Sequence, residues 1–355
     1  MINIHTGIQR KTIVVTFIMI VMMMVFVSCN KVEKNDVKVQ NTAFSMGTSF
    51  TSTLYGKDQE SLEKELISIE QLLTEIDTEI SWRNEGSLVS IFNEERKVSV
   101  GEHGRLFQTA LEVAEKSQGA FDPTVLSVSE LWGIGTENQR HPEDTEITEA
   151  LMHVDYNALT LEDDILSSEH PEVLFELGAI GKGYALDLIQ ERMDREQITG
   201  GILNAGSSIT AFGTKPDGDV FRVGLRDPRG AQEDLIGIFE LTDISISTSG
   251  DYEKYFEEDG KRYHHILDAR TGYPADSGLM QVTVIDENST LCDALSTAGF
   301  ILGLKDGMEL MEYYGVMAIF VDNQRNVYYN NKSVLDILEF DGESSGYILT
   351  PYEGE

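Results

Sequence analysis

A chain of 355 residues with 61 acidic against 27 basic side chains carries a formal net charge of −34, so nucleic-acid backbones and anionic lipid faces repel it as partners. Two cysteines, Cys29 and Cys292, exclude a disulfide-built scaffold and thiol redox chemistry. The length suffices for one large domain or two average ones, with a substantial core.

Residues 1–28 hold no acid, carry Arg10 and Lys11, and run apolar from Ile13 to Val27 before Ser28 and Cys29. That is the layout of a secretory signal, and the apolar run falls short of the roughly 20 residues that span a bilayer. The small Ser28 ahead of Cys29 resembles a lipoprotein processing site, with Cys29 as the lipidated residue; Phe26 is atypical three positions before such a cysteine. The other reading is an uncleaved membrane anchor. Either one holds the body on the extracytoplasmic face of the cell membrane. Cleavage would leave 25 basic against 61 acidic side chains, a balance of −36. This is a solvated surface that keeps an exported globule soluble, and an anionic ligand would need a metal's help to bind it.

Residues 29–42 are polar and aperiodic after the cysteine and read as a tether, with the folded body spanning 43–355. Leu62, Leu66, Ile69, Leu73 and Ile76 step by four and three, the pattern of an amphipathic helix laid on a sheet. A second helix covers about Leu106 to Ser117 and stops at Gly119, which suits the left-handed residue past a helix end. Strand patterns follow at Val220–Leu225, Ile236–Leu241, Met280–Ile285, Val316–Val321 and Val327–Tyr329, mostly without long helices between them. Strands in runs, with helices before them and after Asp293, predict an α+β fold of largely antiparallel sheet with packed helices, a single catalytic unit of one or two lobes. The acidic segment from Asp341 is expected to fray.

Chemistry-bearing residues concentrate between Thr248 and Thr297. His264, His265, Asp268 and Arg270 lie within seven positions that end in the turn Thr271-Gly272-Tyr273-Pro274, and Asp293, Ser296 and Thr297 follow on a predicted helix. Such a set suits phosphate or metal chemistry, while a hairpin with a polar turn would gather similar residues. Gly178-Ala179-Ile180-Gly181-Lys182-Gly183 leads into a helix-like stretch through Tyr184, Leu188 and Ile189, so backbone amides there could face an anion, or the turn could be purely structural. P-loop, dinucleotide-binding and nucleophile-elbow motifs are absent, which argues against P-loop nucleotide hydrolysis, nicotinamide-dependent dehydrogenation and serine hydrolysis.

Taken in order, MGTSF at Met46, GAFDPTV at Gly119, LWGIG at Leu131, ELGAIGKGYALD at Glu176, TSGDY at Thr248, HHILDARTGYP at His264 and CDALSTAGFILG at Cys292 resemble the ApbE family of FAD:protein FMN transferases, from Phe44 to about Val321. The resemblance implies a T-fold-like catalytic unit and a Mg²⁺-dependent reaction. FAD is the substrate, FMN passes to a threonine hydroxyl of an extracytoplasmic acceptor protein of an electron-transport complex, and AMP leaves. It also implies site roles. Mg²⁺ would be held by the carbonyl of Ala179, the carboxylate of Asp293 and the hydroxyl of Thr297, and Asp293 and Thr297 share a helix face one turn apart. His265 would be the base that takes the acceptor's proton, a role that suits an imidazole. His264, if the segment is a strand, would point away toward the surface. The flavin end would be gripped by Met46, by Ala120, Phe121 and Asp122, by Glu176 and Lys182, by backbone near Ile266, and by Trp82, which a gapless alignment replaces with Arg83.

Two departures from the family pattern stand out. Ala269 occupies the place of a proline after Asp268, and Asn204-Ala205-Gly206-Ser207-Ser208 keeps one glycine of a usual pair, adding a hydroxyl where backbone would approach the diphosphate. Two alternatives to the transferase remain open from sequence: a pyrophosphatase that splits FAD to FMN and AMP with water, and a lipoprotein that captures flavin without catalysis.

Overall fold

The computed structural model describes residues 36–354. The chain divides into a unit of residues 1–36 and a unit Val37–Glu355. The signal segment 1–28 and Cys29 lie outside the described residues. Among the described residues no helix is long and apolar enough to cross a membrane.

The centre of Val37–Glu355 is a nine-stranded sheet. Its strands run, in spatial order, Val37–Ser45, Thr48–Gly56, Ile198–Ala205, Ser208–Gly213, Ile244–Gly250, Leu279–Asp286, Met317–Asp322, Asn326–Tyr329 and Ile348–Pro351. Every neighbouring pair is antiparallel except the last, which is parallel. Alternation divides each strand between two layers. From Ile244–Gly250, Ile246 enters one core with Phe221, Phe239, Met280 and Ile319, under a small three-stranded sheet. Its serines 245, 247 and 249 face the other way, toward the Ser289–Leu302 helix that lies over this strand and Leu279–Asp286. The larger core fills that helical side, joining Leu62, Leu66, Ile69, Leu73 and Ile76 of the Gln59–Ile80 helix to Tyr184, Leu295 and Phe300.

The expected helices occur at Gln59–Ile80 and Gly104–Lys116, with Gly119 at φ 76° beyond the second. All five expected strands occur within one residue at either end. Two boundaries move. The first strand begins at Val37, so Val37–Thr42 is sheet and not tether: each residue pairs with Thr51–Gly56, and Val39 turns inward. The segment after Asp341 is ordered. Tyr347 is buried and hydrogen-bonds Asp227, and Ile348–Pro351 adds the parallel edge strand, so pairing outweighs the acidic composition.

Candidate functional site

Two helices and the middle of the sheet meet at Asp293. Gly183 stands at the start of the Gly181–Arg192 helix, where a Cβ would come within 2.1 Å of the Ser289 carbonyl oxygen and 2.9 Å of Asp293 Cβ. Only glycine allows the two helices to approach this closely. The approach lets them exchange caps. The Gly183 amide donates to Asp293 Oδ2 at 3.0 Å, while Asp187 of the first helix accepts from the amides of Ser289 and Thr290 at 2.9 and 2.8 Å. Each carboxylate thus meets the positive end of the other helix.

Asp293 is 3% exposed and fully partnered. Besides Gly183, its Oδ1 accepts from Ser208 Oγ at 3.0 Å and Ser247 Oγ at 3.3 Å, and Lys182 Nζ lies 3.1 Å from Oδ1 and 3.3 Å from Oδ2. Ser249 Oγ bonds both Ser296 Oγ at 2.9 Å and Thr297 Oγ1 at 3.2 Å, and further along the same face Thr210 pairs with Ser245 at 2.7 Å. This row of hydroxyls lies where a sheet under a helix ordinarily carries branched aliphatics. Ala179, half-buried, sits in the turn from Leu177 to Gly181, whose amide donates to the Leu177 carbonyl at 2.8 Å.

Lys182 ties this end to the rest of the site. Its charge acts on Glu176 and on His265 as well as on Asp293. Burial raises the Glu176 carboxyl above its ordinary range, against the Gly178 amide at 2.6 Å and the charges of Arg83 and Lys182. The Glu176 amide in turn donates to the Pro123 carbonyl at 2.8 Å, which fixes the Ala120-Phe121-Asp122 turn beside it. Asp122 is held within its own turn by the Thr124 amide and hydroxyl at 2.8 and 2.6 Å; burial nevertheless raises its pKa. Arg83 lies 4.2 Å over the Trp82 ring, so the two candidates for one role form a single stacked pair facing Glu176 through Arg83. Met46, at φ 51° in the turn between the first two strands, reaches Gly181: its Cε would lie 3.5 Å from a Cβ there.

His265 belongs to a different kind of place. Its amide and Nδ1 both meet the Lys254 carbonyl, at 3.0 and 3.3 Å. The ring keeps solvent contact while protein surrounds it at longer range, which accounts for a pKa lowered to about 4, mainly by desolvation and then by Lys254, His264 and Lys182. The ring is therefore neutral at neutral pH. Ile266 is buried, and its carbonyl accepts from Ala275 at 3.0 Å.

His264 is not a surface residue. The Lys261–His264 strand ends there and alternation lapses, so His264 turns inward, bonds the Ala275 carbonyl through Nε2 at 3.0 Å and stands edge-on to Phe300. The turn at Ala269 closes without proline, because the Asp268 carbonyl accepts from Thr271 and Gly272 and its carboxylate takes Arg270. At the altered glycine pair, Ser207 gives its carbonyl to the Thr248 amide and Ser208 gives its hydroxyl to Asp293. Ser208, Ser249 and Asp187 lie inside motifs quoted from the sequence without a role given to them, and Ser247 was not singled out; the alternating serines of ISISTSG were the available signal for Ser247 and Ser249.

Residues 46–320 match the ApbE family. The chain belongs to the ApbE family. Among its relatives, an FAD:protein FMN transferase of Treponema pallidum is 35% identical over 62% of this chain and 66% of its own length. One of Vibrio cholerae is 30% identical over 79% of this chain and 86% of its own. In three dimensions the ApbE protein of Thermotoga maritima superposes with a TM-score of 0.72 at 35% identity, covering 81% of this chain and 94% of that one. The flavin transferase ApbE of Vibrio cholerae reaches 0.75 at 26% identity, over 85% and 99%. The α+β architecture with antiparallel-dominated sheets is thus the architecture of ApbE structures.

Proposed function

We propose that this ApbE protein is an FAD:protein FMN transferase, which uses Mg²⁺ to move the FMN half of FAD onto a threonine hydroxyl of an extracytoplasmic acceptor of electron-transport complexes. The reading rests on one observation above the names of the relatives: Lys182 Nζ lies within 3.3 Å of both oxygens of the buried Asp293 carboxylate beside the Gly183 amide, so a cation for diphosphate oxygens and a carboxylate for a metal ion stand together at a helix start.

The proposed donors suit a hard divalent ion. The carboxylate, the Thr297 hydroxyl and the Ala179 carbonyl are all oxygen ligands, few enough to leave room for phosphate oxygens and water. Bound there, Mg²⁺ would supply neutralisation of diphosphate charge. Lys182 would orient the diphosphate; Met46, the Ala120-Phe121-Asp122 turn, Glu176, Ile266 and the Trp82–Arg83 pair would form the flavin side. His265, neutral at working pH, accepts the threonine proton. The threonine oxygen bonds to the FMN phosphorus, and the bond from that phosphorus to the bridging oxygen breaks, releasing AMP.

The test is mass spectrometry of the protein incubated with FAD, Mg²⁺ and a threonine-containing acceptor domain. An FMN increment on the acceptor, lost with chelator, supports the transfer, and acceptor left unmodified while FAD stays intact overturns it. Solvent access at His265 supports a second reading, hydrolysis of FAD by water; it predicts free FMN and AMP even with the acceptor present. Lipidation at Cys29 and attachment to the extracytoplasmic membrane face complete the proposal, and a Cys29→Ser chain released from membranes into the soluble fraction would support it.

A further inference from the structure

The Asp293 carboxylate has four partners, and they differ in freedom. The Gly183 amide is pinned by the helix contact, and Ser208 and Ser247 stand on neighbouring paired strands. Lys182 alone reaches Asp293 on a flexible four-carbon stem, and its side chain keeps 20% exposure. Its ammonium lies within 3.3 Å of both carboxylate oxygens, which leaves no lone-pair direction for a dication while it stays.

We propose that Lys182 and the divalent cation compete for Asp293, so that metal loading expels the ammonium and presents it to the diphosphate. The inference rests on Asp293 being the metal ligand. Expulsion costs little beyond the lost pair, because Glu176 lies within the ammonium's electrostatic reach and offers a second negative group. The cation and the diphosphate then become coupled. FAD alone meets a lysine already engaged by Asp293, whereas FAD with metal meets a free one, and linkage requires FAD to tighten metal binding by the same factor.

Amine-acylation footprinting of the full chain, read by mass spectrometry without FAD, tests this directly. Added Mn²⁺ or Mg²⁺ should raise labelling of Lys182 by roughly five- to tenfold, the range that a partly exposed ion pair can hold back, while labelling of Lys64 and Lys116 stays constant. In parallel, Mn²⁺ titration followed by electron paramagnetic resonance should show Lys182→Met binding about tenfold tighter than the parent. Metal that binds through Asp293 while Lys182 labelling stays flat or falls overturns the competition. Mn²⁺ affinity unchanged in Asp293→Asn overturns the metal assignment itself, a different failure. Melting of each variant with and without Mn²⁺ separates a misfolded protein from a non-binding one, since only a folded site gains stability with the ion.

Discussion

The Asp293 end and the His265 end of the site are built in opposite ways. Asp293 is interior: one helix-start amide, two serines and a lysine saturate it, and its position follows from how the larger core packs. His265 is peripheral, held by one carbonyl at the end of a two-stranded hairpin and open to solvent. The difference matches the two tasks proposed for these residues. Charge neutralisation on a diphosphate gains from fixed, pre-oriented groups, whereas a base that must meet a hydroxyl on another protein has to remain reachable.

Replacing Asp293 by Asn should give the largest effect, a fall in FMN transfer of about 10³-fold or more by acceptor mass spectrometry, together with a shifted melting temperature because Lys182 loses its partner. His265→Ala should cost about 10²- to 10⁴-fold in transfer with unchanged FAD affinity and unchanged melting. If His265→Ala shifts melting as far as Asp293→Asn, the contrast between interior and peripheral construction fails.

The pH dependence sharpens the same point. With its pKa lowered to about 4, His265 stays a competent base well below the usual imidazole range, so the acid limb of the transfer rate should lie nearer 4 than 6.5. Stability linkage has the same sign. The unfolded ring takes its proton near 6.5, so stability from the neutral ring is present above that pH and is lost as the pH falls toward 4. Denaturant midpoints of parent and His265→Ala should therefore coincide above that window and separate within it, the parent losing stability that the variant keeps.

Smaller effects probe the interior end. Gly183→Ala should lower stability by about 1–3 kcal/mol through the clash with Ser289, read from urea midpoints, and should weaken transfer by displacing Asp293. Ser247→Ala should cost only about 1 kcal/mol, since Ser208 still serves the same carboxylate oxygen.

How far the sequence was legible follows the same division. Strands rich in branched and aromatic residues, such as Leu279–Asp286 and Met317–Asp322, announce themselves by composition, and the Gln59–Ile80 helix by its spacing. The strands Ile198–Ala205, Ser208–Gly213 and Ile244–Gly250 did not, because glycines and serines replace the apolar half of their alternation. The last two of these strands pass under the Ser289–Leu302 helix, and among the serines that hid them Ser208 and Ser247 are the ones that serve Asp293. His265 and Asp293 were legible through motif resemblance. The inward turn of His264 depends on where a hairpin ends, and the Lys182–Asp293 pair joins positions 111 residues apart, a proximity that only the packed helices create.

The hydroxyl layer from Thr210 to Thr297 also bears on how this protein could be engineered. Replacing Thr210 and Ser245 together by Val and Ala removes a pair that bonds only within itself, and such a swap in a buried site can be neutral or stabilising. The same exchange at Ser208 and Ser247 would strip Asp293 of two donors. A search for heat-resistant variants that scores stability alone would favour aliphatic residues along the whole row, and at Ser208 and Ser247 each gain would be drawn from the donors that hold Asp293.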